Sequence, residues 1–355
     1  MNVASRADRL RDRLGDLGVD ALVLSAPADV RHVTGFSGEG WVVLAPHTVL
    51  VTDGRYTLRA QREAPEVEIE VRTGPITEPI ARRLSEHGAK RVGFQADHLT
   101  VSQRDLLQQG LTGVELVPLK TVLREARMIK DREELKRLGR AIAATDEAFV
   151  RVAQLARPGL TEKELALEVE RQLLLAGGDK LSFDTIVASG PNAADPHAEP
   201  TGRKLRARDI VKLDFGAQVA GYHADLTRTI FLGEPTRKQR KIYQIVLEAQ
   251  RAAIDAVHPG MAAKDLDKVA RDVIAEAGYG DRFGHGLGHG VGLEVHEGPG
   301  VSQTSEDTLA VGMTITIEPG IYLPRWGGVR IEDIVLITED GCQVLTKAPK
   351  WAFAT

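Results

Sequence analysis

The chain is short of the features that would settle its class at once. It has one cysteine, Cys342, which rules out an intrachain disulfide framework and any CxxC zinc site. No apolar run approaches the ~18 residues that a membrane-crossing helix needs, so no span is expected. The opening MNVASRADRLRDRLGDLG is charged and helical in pattern, not a signal peptide, and a cytoplasmic protein is expected. Basic residues do not outnumber acidic ones. With 46 of the first and 50 of the second the formal net charge is −4, no basic stripe dominates, and general nucleic-acid binding is not expected. Low-complexity segments, a phosphate loop and a dinucleotide fingerprint are all missing. What remains is ordinary for a soluble globular protein: 355 residues, 43% hydrophobic and 27% charged, enough for a large core and two or three domains.

Residues 4–119 alternate in type. Leu10, Leu14 and Leu17 fall at helical spacing; strands are expected over 21–25, 41–46, 48–53, 66–72, 91–95 and 114–119, with helices over 56–64, 77–87 and 100–110. Strands separated by such helices imply an α/β domain. From about 120 the texture turns to LREARMIKDREELKRLGRAI, dense in charge and helix formers. A boundary is expected near Lys130, with domains at about 1–126 and 127–355. Helices follow at about 132–156, 162–176, 236–256 and 263–277; Thr161 with Glu164 makes a capping-box pattern for the second. Helices mixed with antiparallel hairpins make the second domain α+β.

The segment 283–300, FGHGLGHGVGLEVHEGPG, packs His285, His289 and His296 among glycines, which let backbone come close to whatever is clasped. A pair of carboxylates flanks it on either side. Asp214 and Asp225 lie on strand-like runs, 209–217 and 221–231, that a turn near 219–221 would fold together, roughly opposite one another. Opposed like charges destabilise a sheet, and buried carboxylates are costly, so a cation is expected between them; solvated acids on a hairpin are the plain alternative. His223 and Thr227 share the face of Asp225; His223 reads as a surface or packing histidine, Thr227 as a steadying group or simply a good strand residue. Glu318 and Glu332 repeat the layout on runs 313–322 and 329–337, with Arg330 on the face of Glu332.

His285 and His289 have HxxxH spacing, which clasps zinc on a helix, but the interleaved Gly286 and Gly288 argue against a helix and for one ligand. His197 lies in a Pro-rich loop, PNAADPHAEP, where a histidine is usually just exposed. Four carboxylates and one imidazole exceed the needs of a single tetrahedral zinc. They suit a pair of hard divalent ions ~3.5–4 Å apart that share carboxylates and activate water. Metal-assisted hydrolysis is the reaction class this implies.

In the contexts LDFGAQVAGYHADLTRT, GHGLGHGVGLEVHEGP, TIEPGIY and GGVRIEDIVLI, the order Asp214, Asp225, His289, Glu318, Glu332 closely resembles the methionine aminopeptidase/prolidase superfamily of pita-bread metallopeptidases. The N-terminal domain resembles the one in creatinase, prolidase and aminopeptidase P. The resemblance implies a dinuclear site of Mn²⁺, with Co²⁺ or Zn²⁺ as alternatives. In it Asp214 chelates one metal, Asp225 and Glu332 bridge both, and His289 and Glu318 complete the other. Glu318 also handles the proton of the attacking hydroxide. His285 and His296 resemble the family's substrate-side histidines, His197 matches the one in the loop before the first metal hairpin, and Arg330 resembles a supporting arginine. A homodimer is usual in such proteins.

The implied substrates are short peptides with proline second, whose tertiary amide lacks the N–H that ordinary peptidases hold. Two activities compete: an Xaa-Pro aminopeptidase acting on longer chains, and an Xaa-Pro dipeptidase (prolidase). Some prolidases carry an arginine right after HEGP; here Gly300 stands there, which inclines the sequence reading to the aminopeptidase. A partner subunit is the alternative source of a cation for a dipeptide carboxylate, through Arg31, His32 and the segment 35–41. A non-enzymatic peptide-binding relative, or an esterase or phosphatase on the same metals, completes the alternatives.

Overall fold

The protein's computed structural model describes residues 3–350 and 353–354. The chain divides into two compact units, Met1–Ala126 and Arg127–Thr355.

The first unit runs α1 (Val3–Asp12), β1 (Ala21–Leu24), α2 (Pro27–Thr34), β2 (Gly40–Leu44), β3 (Thr48–Asp53), α3 (Thr57–Glu63), β4 (Glu68–Arg72), α4 (Thr77–Glu86), β5 (Arg91–Gln95), α5 (Val101–Gln109), β6 (Glu115–Leu119). Its six strands form one mixed sheet in the order β4-β3-β2-β1-β5-β6. Successive residues feed opposite cores: Leu22, Leu24, Val42 and Leu44 on one face, Val23, Val43, Val49 and Val51 on the other. Strands covered on both faces read as continuous apolar runs, which is why they were legible. Helix α2 was not read from the sequence, though its signals are there. Pro27 opens it and Gly35, in the left-handed region at φ 80°, stops it.

Helix α6 (Arg124–Met128) crosses the boundary, and the second unit continues through α7 (Arg132–Leu155), α8 (Glu162–Leu175), β7 (Lys180–Leu181), β8 (Ile186–Ser189), β9 (Ile210–Phe215), β10 (Ala217–Val219), β11 (Tyr222–His223) and β12 (Leu226–Leu232). After α9 (Arg237–Ala256) and α10 (Ala263–Glu276) come β13 (Gly288–Gly290), β14 (Glu297–Val301), β15 (Thr314–Ile317), β16 (Gly320–Leu323), β17 (Gly327–Arg330), β18 (Asp333–Thr338), β19 (Gly341–Val344) and β20 (Phe353–Ala354). The four long helices fall where sequence periodicity puts them. Capping boxes open α7 at Asp131, α8 at Thr161 and α9 at Thr236. Helices α7 and α8 bury one face against β9 and β12 around Phe149, Val169, Leu213 and Leu226, all at most 1% exposed. Helices α9 and α10 do the same against the strands that carry the second carboxylate pair.

Both expected hairpins form, but neither in the simple way anticipated. In the first, Asp214 faces Thr227, not Asp225. The same register carried on puts Asp225 across from Gly216, so the two acids are diagonal neighbours on one face. A Cβ on Gly216 would lie 1.9 Å from the Ala224 carbonyl oxygen, so glycine is required there. In the second, each expected strand is broken in two. β15 pairs with β18 up to Ile317–Asp333, and β16 with β17 from Gly320–Arg330. Glu318 and Glu332 sit in the gap. Their amides leave the ladder: Glu318 N donates to Leu287 O at 2.8 Å and Glu332 N to Thr227 O at 3.1 Å. The second bond joins the two hairpins and draws the two acid pairs together.

Candidate metal centre

Four acids converge from four chain segments. Asp214 comes from β9, Asp225 from the turn into β12, and Glu318 and Glu332 from the interrupted hairpin. Three overlapping groups have ligand atoms all within 4.8 Å of one another: Asp214, Asp225 and Glu332; His289, Glu318 and Glu332; Asp225, His289 and His296. Because the groups share members, they form one elongated cluster. His289 Nε2 is 3.2 Å from Glu318 Oε1 and 3.6 Å from Asp225 Oδ2. Its Nδ1 faces the Gly290 carbonyl at 3.1 Å, which orients the ring as second partners of ligating histidines do.

Burial strains this arrangement electrostatically. Asp225 is pushed well above the usual carboxylate range, first by burial and then by the charges of Glu332, Asp214 and Glu318. Glu332 is pushed up to about 8 for the same reasons, burial first. Burial pushes Glu318 up too, but its hydrogen bond and attraction to His289, with help from Arg330, outweigh that and bring it down to about 2. Burial opposes the charged form of His289, yet the bond to Glu318 holds it at about 8. Glu332 Oε1 is buried and has no hydrogen-bond partner among the described residues. Four acids against one arginine and one histidine, with an orphaned carboxylate oxygen at the centre, fit a site for added divalent cations.

Arg330 ties the cluster to the surrounding chain. It pairs with Asp214, donates from Nε to Thr227 Oγ1 at 2.9 Å, and donates from Nη1 to Tyr322 OH at 2.8 Å and Pro196 O at 3.2 Å. Thr227 thus steadies the arginine. Tyr322 OH also meets His285 Nε2 at 2.8 Å, and His285 Nδ1 faces Gly286 O. With both ring nitrogens engaged, His285 stands beside the cluster and not in it, in keeping with one ligand from the HxxxH pair. Burial lowers its pKa. His296 packs edge-on to His289, with ring centroids 4.3 Å apart, and burial, then His289, lowers its pKa. His223 lies outside the cluster, its ring nitrogens bonded to Ser182 and Gln218, which is the packing role.

His197, His285, His289, His296, the four acids and Arg330 all line one cavity of about 530 Å³. Phe183, Ile186, Ala198, Pro200 and Val295 line the same cavity. A volume of this order suits a small ligand.

Several supporting residues escaped sequence reasoning. Thr316 Oγ1 accepts from His289 N at 3.0 Å and bonds Glu318 Oε1 at 3.1 Å; its period-2 spacing from Glu318 was the available signal. Asp267 on α10 accepts from Leu287 N and pairs with Arg271, which donates to the carbonyls of Phe283 and His285. This pair clamps the glycine-rich segment. Glu297, next to His296, is held by Lys130 Nζ at 2.6 Å and by Arg127. Nothing local in the sequence marks these long-range partners.

Comparison with known proteins agrees with this architecture. Residues 136–339 match the model of metallopeptidase family M24, and residues 6–129 that of the creatinase/prolidase N-terminal domain. A protein named Xaa-Pro dipeptidase from Pyrococcus furiosus is 38% identical, spanning 97% of this chain and 98% of its own. Among solved structures, an Xaa-Pro dipeptidase from Bacillus anthracis superposes with a TM-score of 0.96 at 38% identity, over 99% of both chains. An X-Pro aminopeptidase from Thermotoga maritima does so at 0.92 and 34% identity, over 99% of this chain and 100% of that one. The chain is therefore a metallopeptidase of family M24, with a creatinase-type N-terminal domain ahead of a pita-bread catalytic domain.

Proposed function

We propose that this enzyme is an Xaa-Pro dipeptidase that works with two divalent ions, Mn²⁺ foremost, as a homodimer. The carrying observation is the cluster of four acids and His289 in a cavity that apolar side chains also line. The near-complete likeness to proteins named Xaa-Pro dipeptidase supports the same reading.

Asp214, Asp225, His289, Glu318 and Glu332 hold the ions. Bound there, the ions supply a water of lowered pKa and polarise the scissile carbonyl. Glu318 takes the proton of the attacking water. His289 and Arg330 favour its charged form, so the carboxylate is unprotonated and open to a proton, while the same partners lower its basicity. His197 and His296 face the peptide and hydrogen-bond its polar atoms; His285, its ring nitrogens held by Gly286 O and Tyr322 OH, stands on the substrate side of the same cavity. Phe183, Ile186 and Val295 offer apolar surface to the proline ring.

One observation favours the aminopeptidase alternative. Gly300 stands across the ladder from His289, and nothing lies within 4 Å of where its Cβ would be. A side chain can start from this position without a clash, and the arginine that some prolidases carry there is absent. The test is direct. The metal-stripped enzyme is reloaded with Mn²⁺ and offered Gly-Pro and Met-Pro, a tripeptide such as Arg-Pro-Pro, and Ala-Ala. Preference for the dipeptides is expected. Cleavage of the tripeptide with little on the dipeptides makes it an aminopeptidase; no metal-dependent cleavage of any proline peptide overturns the assignment.

A further inference from the structure

Away from the metal cluster, one fully buried acid is held by uncharged donors. Glu162, the first residue of α8, is 0% exposed. Its two carboxylate oxygens are fully occupied. Oε1 accepts from Ser189 N and Ser189 Oγ, both at 2.7 Å, and Oε2 from Thr201 N at 3.0 Å and Thr201 Oγ1 at 2.6 Å. Asn192 Nδ2 lies 3.1 Å from each oxygen and bridges them. These donors are the two ends of one loop. Ser189 closes β8 and Asn192 begins the excursion; Thr201 ends it. Main-chain bonds from Glu162 N to Arg203 O and from Lys163 N to Thr201 O fasten the returning end to the same helix turn.

Between those ends lies His197. Just before it, Lys212 Nζ donates to Asp195 O at 2.5 Å and Pro196 O at 2.9 Å. Residues 197–200 therefore hang between two anchors, Pro196 held from β9 and Thr201 held by Glu162, and all four line the cavity. A loop spends conformational entropy to be held in one place, and charge-assisted bonds from a carboxylate are the strong way to offset it.

We propose that Glu162 is a positioning residue that fixes the His197 loop over the substrate cavity. Its catalytic consequence rests on the Xaa-Pro reading above; its hold on the loop does not. A glutamine at this position keeps the shape but turns an NH₂ towards a backbone N–H, of Ser189 or Thr201, and towards Asn192 Nδ2, none of which can accept, so one end of the loop loosens.

The test uses the full-length Mn²⁺-loaded enzyme. In Glu162→Gln, amides within 190–201 exchange hydrogen faster while those of β9 and β12 keep their protection. KM for the preferred proline peptide rises about tenfold, the scale of one lost charge-assisted bond. In a His197→Ala background the same substitution changes kcat/KM by less than about twofold, because the group it positions is gone. Equal factors in both backgrounds, or unchanged exchange across 190–201, overturn the proposal. If Glu162→Gln does not fold, Asn192→Ala removes the bridging donor and leaves the carboxylate intact. It must then show the same coupling to His197, in smaller degree, or the proposal falls. An enzyme inactive on every proline peptide sinks the functional reading instead, and the exchange pattern alone then decides for or against Glu162.

Discussion

Replacing Glu332 by glutamine should make the metal-free protein more stable, by an amount that grows as pH rises from about 4.5 to about 8. Glu332 ordinarily titrates near 4.5, and burial together with Glu318 and Asp214 raises it to about 8. A group raised on folding contributes stability below its unfolded pKa and loses that contribution as pH climbs through the folded value. Between pH 4.5 and pH 7 the loss is on the order of 3 kcal/mol, at about 1.4 kcal/mol per pH unit. The amide cannot ionise and has carboxylates beside it to accept its protons, so Glu332→Gln escapes the loss. For a unit of this size about 3 kcal/mol corresponds to roughly 6–12 °C in Tm. Thermal melts in chelator at pH 5 and pH 7 measure it. The variant and wild type should nearly coincide at pH 5 and separate at pH 7, with the variant higher. Added Mn²⁺ should raise the wild-type Tm, more at the higher pH, and leave the variant nearly unmoved. A variant no more stable at pH 7, or stabilised equally at both pH values, would refute the picture of a crowded acid cluster that needs a cation.

Three further substitutions probe the scaffold. His289→Ala should keep the fold in chelator and lose the metal-dependent rise in Tm. Its activity should fall by more than the roughly 10–100-fold typical of an outer-shell partner; a retained metal-dependent shift would remove His289 from the ligand set. Asp267→Asn should cost about 1–3 kcal/mol, since it removes the charge partner of the half-buried Arg271. Urea melts report that loss, and a change under 1 kcal/mol would show that the clamp on 283–287 carries little. Gly216→Ala sets a Cβ against the Ala224 carbonyl. It should cost at least the roughly 1–3 kcal/mol of an overpacked core and weaken Mn²⁺ binding through Asp225, as calorimetry would read; wild-type affinity would mean that the β9–β12 register tolerates a shift.

The secondary elements and the acids themselves were legible because their signals are local. Amphipathic spacing placed α7 to α10 within a residue or two, since packing one face of a helix imposes a 3.6-residue period. Side-chain alternation put Asp225 and Thr227 on one face, and the histidines stood out by their glycines. Registers were less legible. The opposition expected for Asp214 and Asp225 became a diagonal because the ladder pairs Asp214 with Thr227, and sequence alternation specifies a face without specifying a partner.

What the sequence determined alone is the set of groups: four acids, the histidines and one arginine, on elements whose period says which side they take. Only the tertiary structure decided how these groups meet. Asp214 and Arg330 are 116 residues apart, Thr227 and the Glu332 amide 105, and Glu162 reaches Thr201 across 39. Such contacts leave no trace in local periodicity. They exist because burying the two helix pairs against the sheets brings the broken hairpin beside β12. There the unpaired amide of Glu332 finds the Thr227 carbonyl, and the acids it carries are forced into one site.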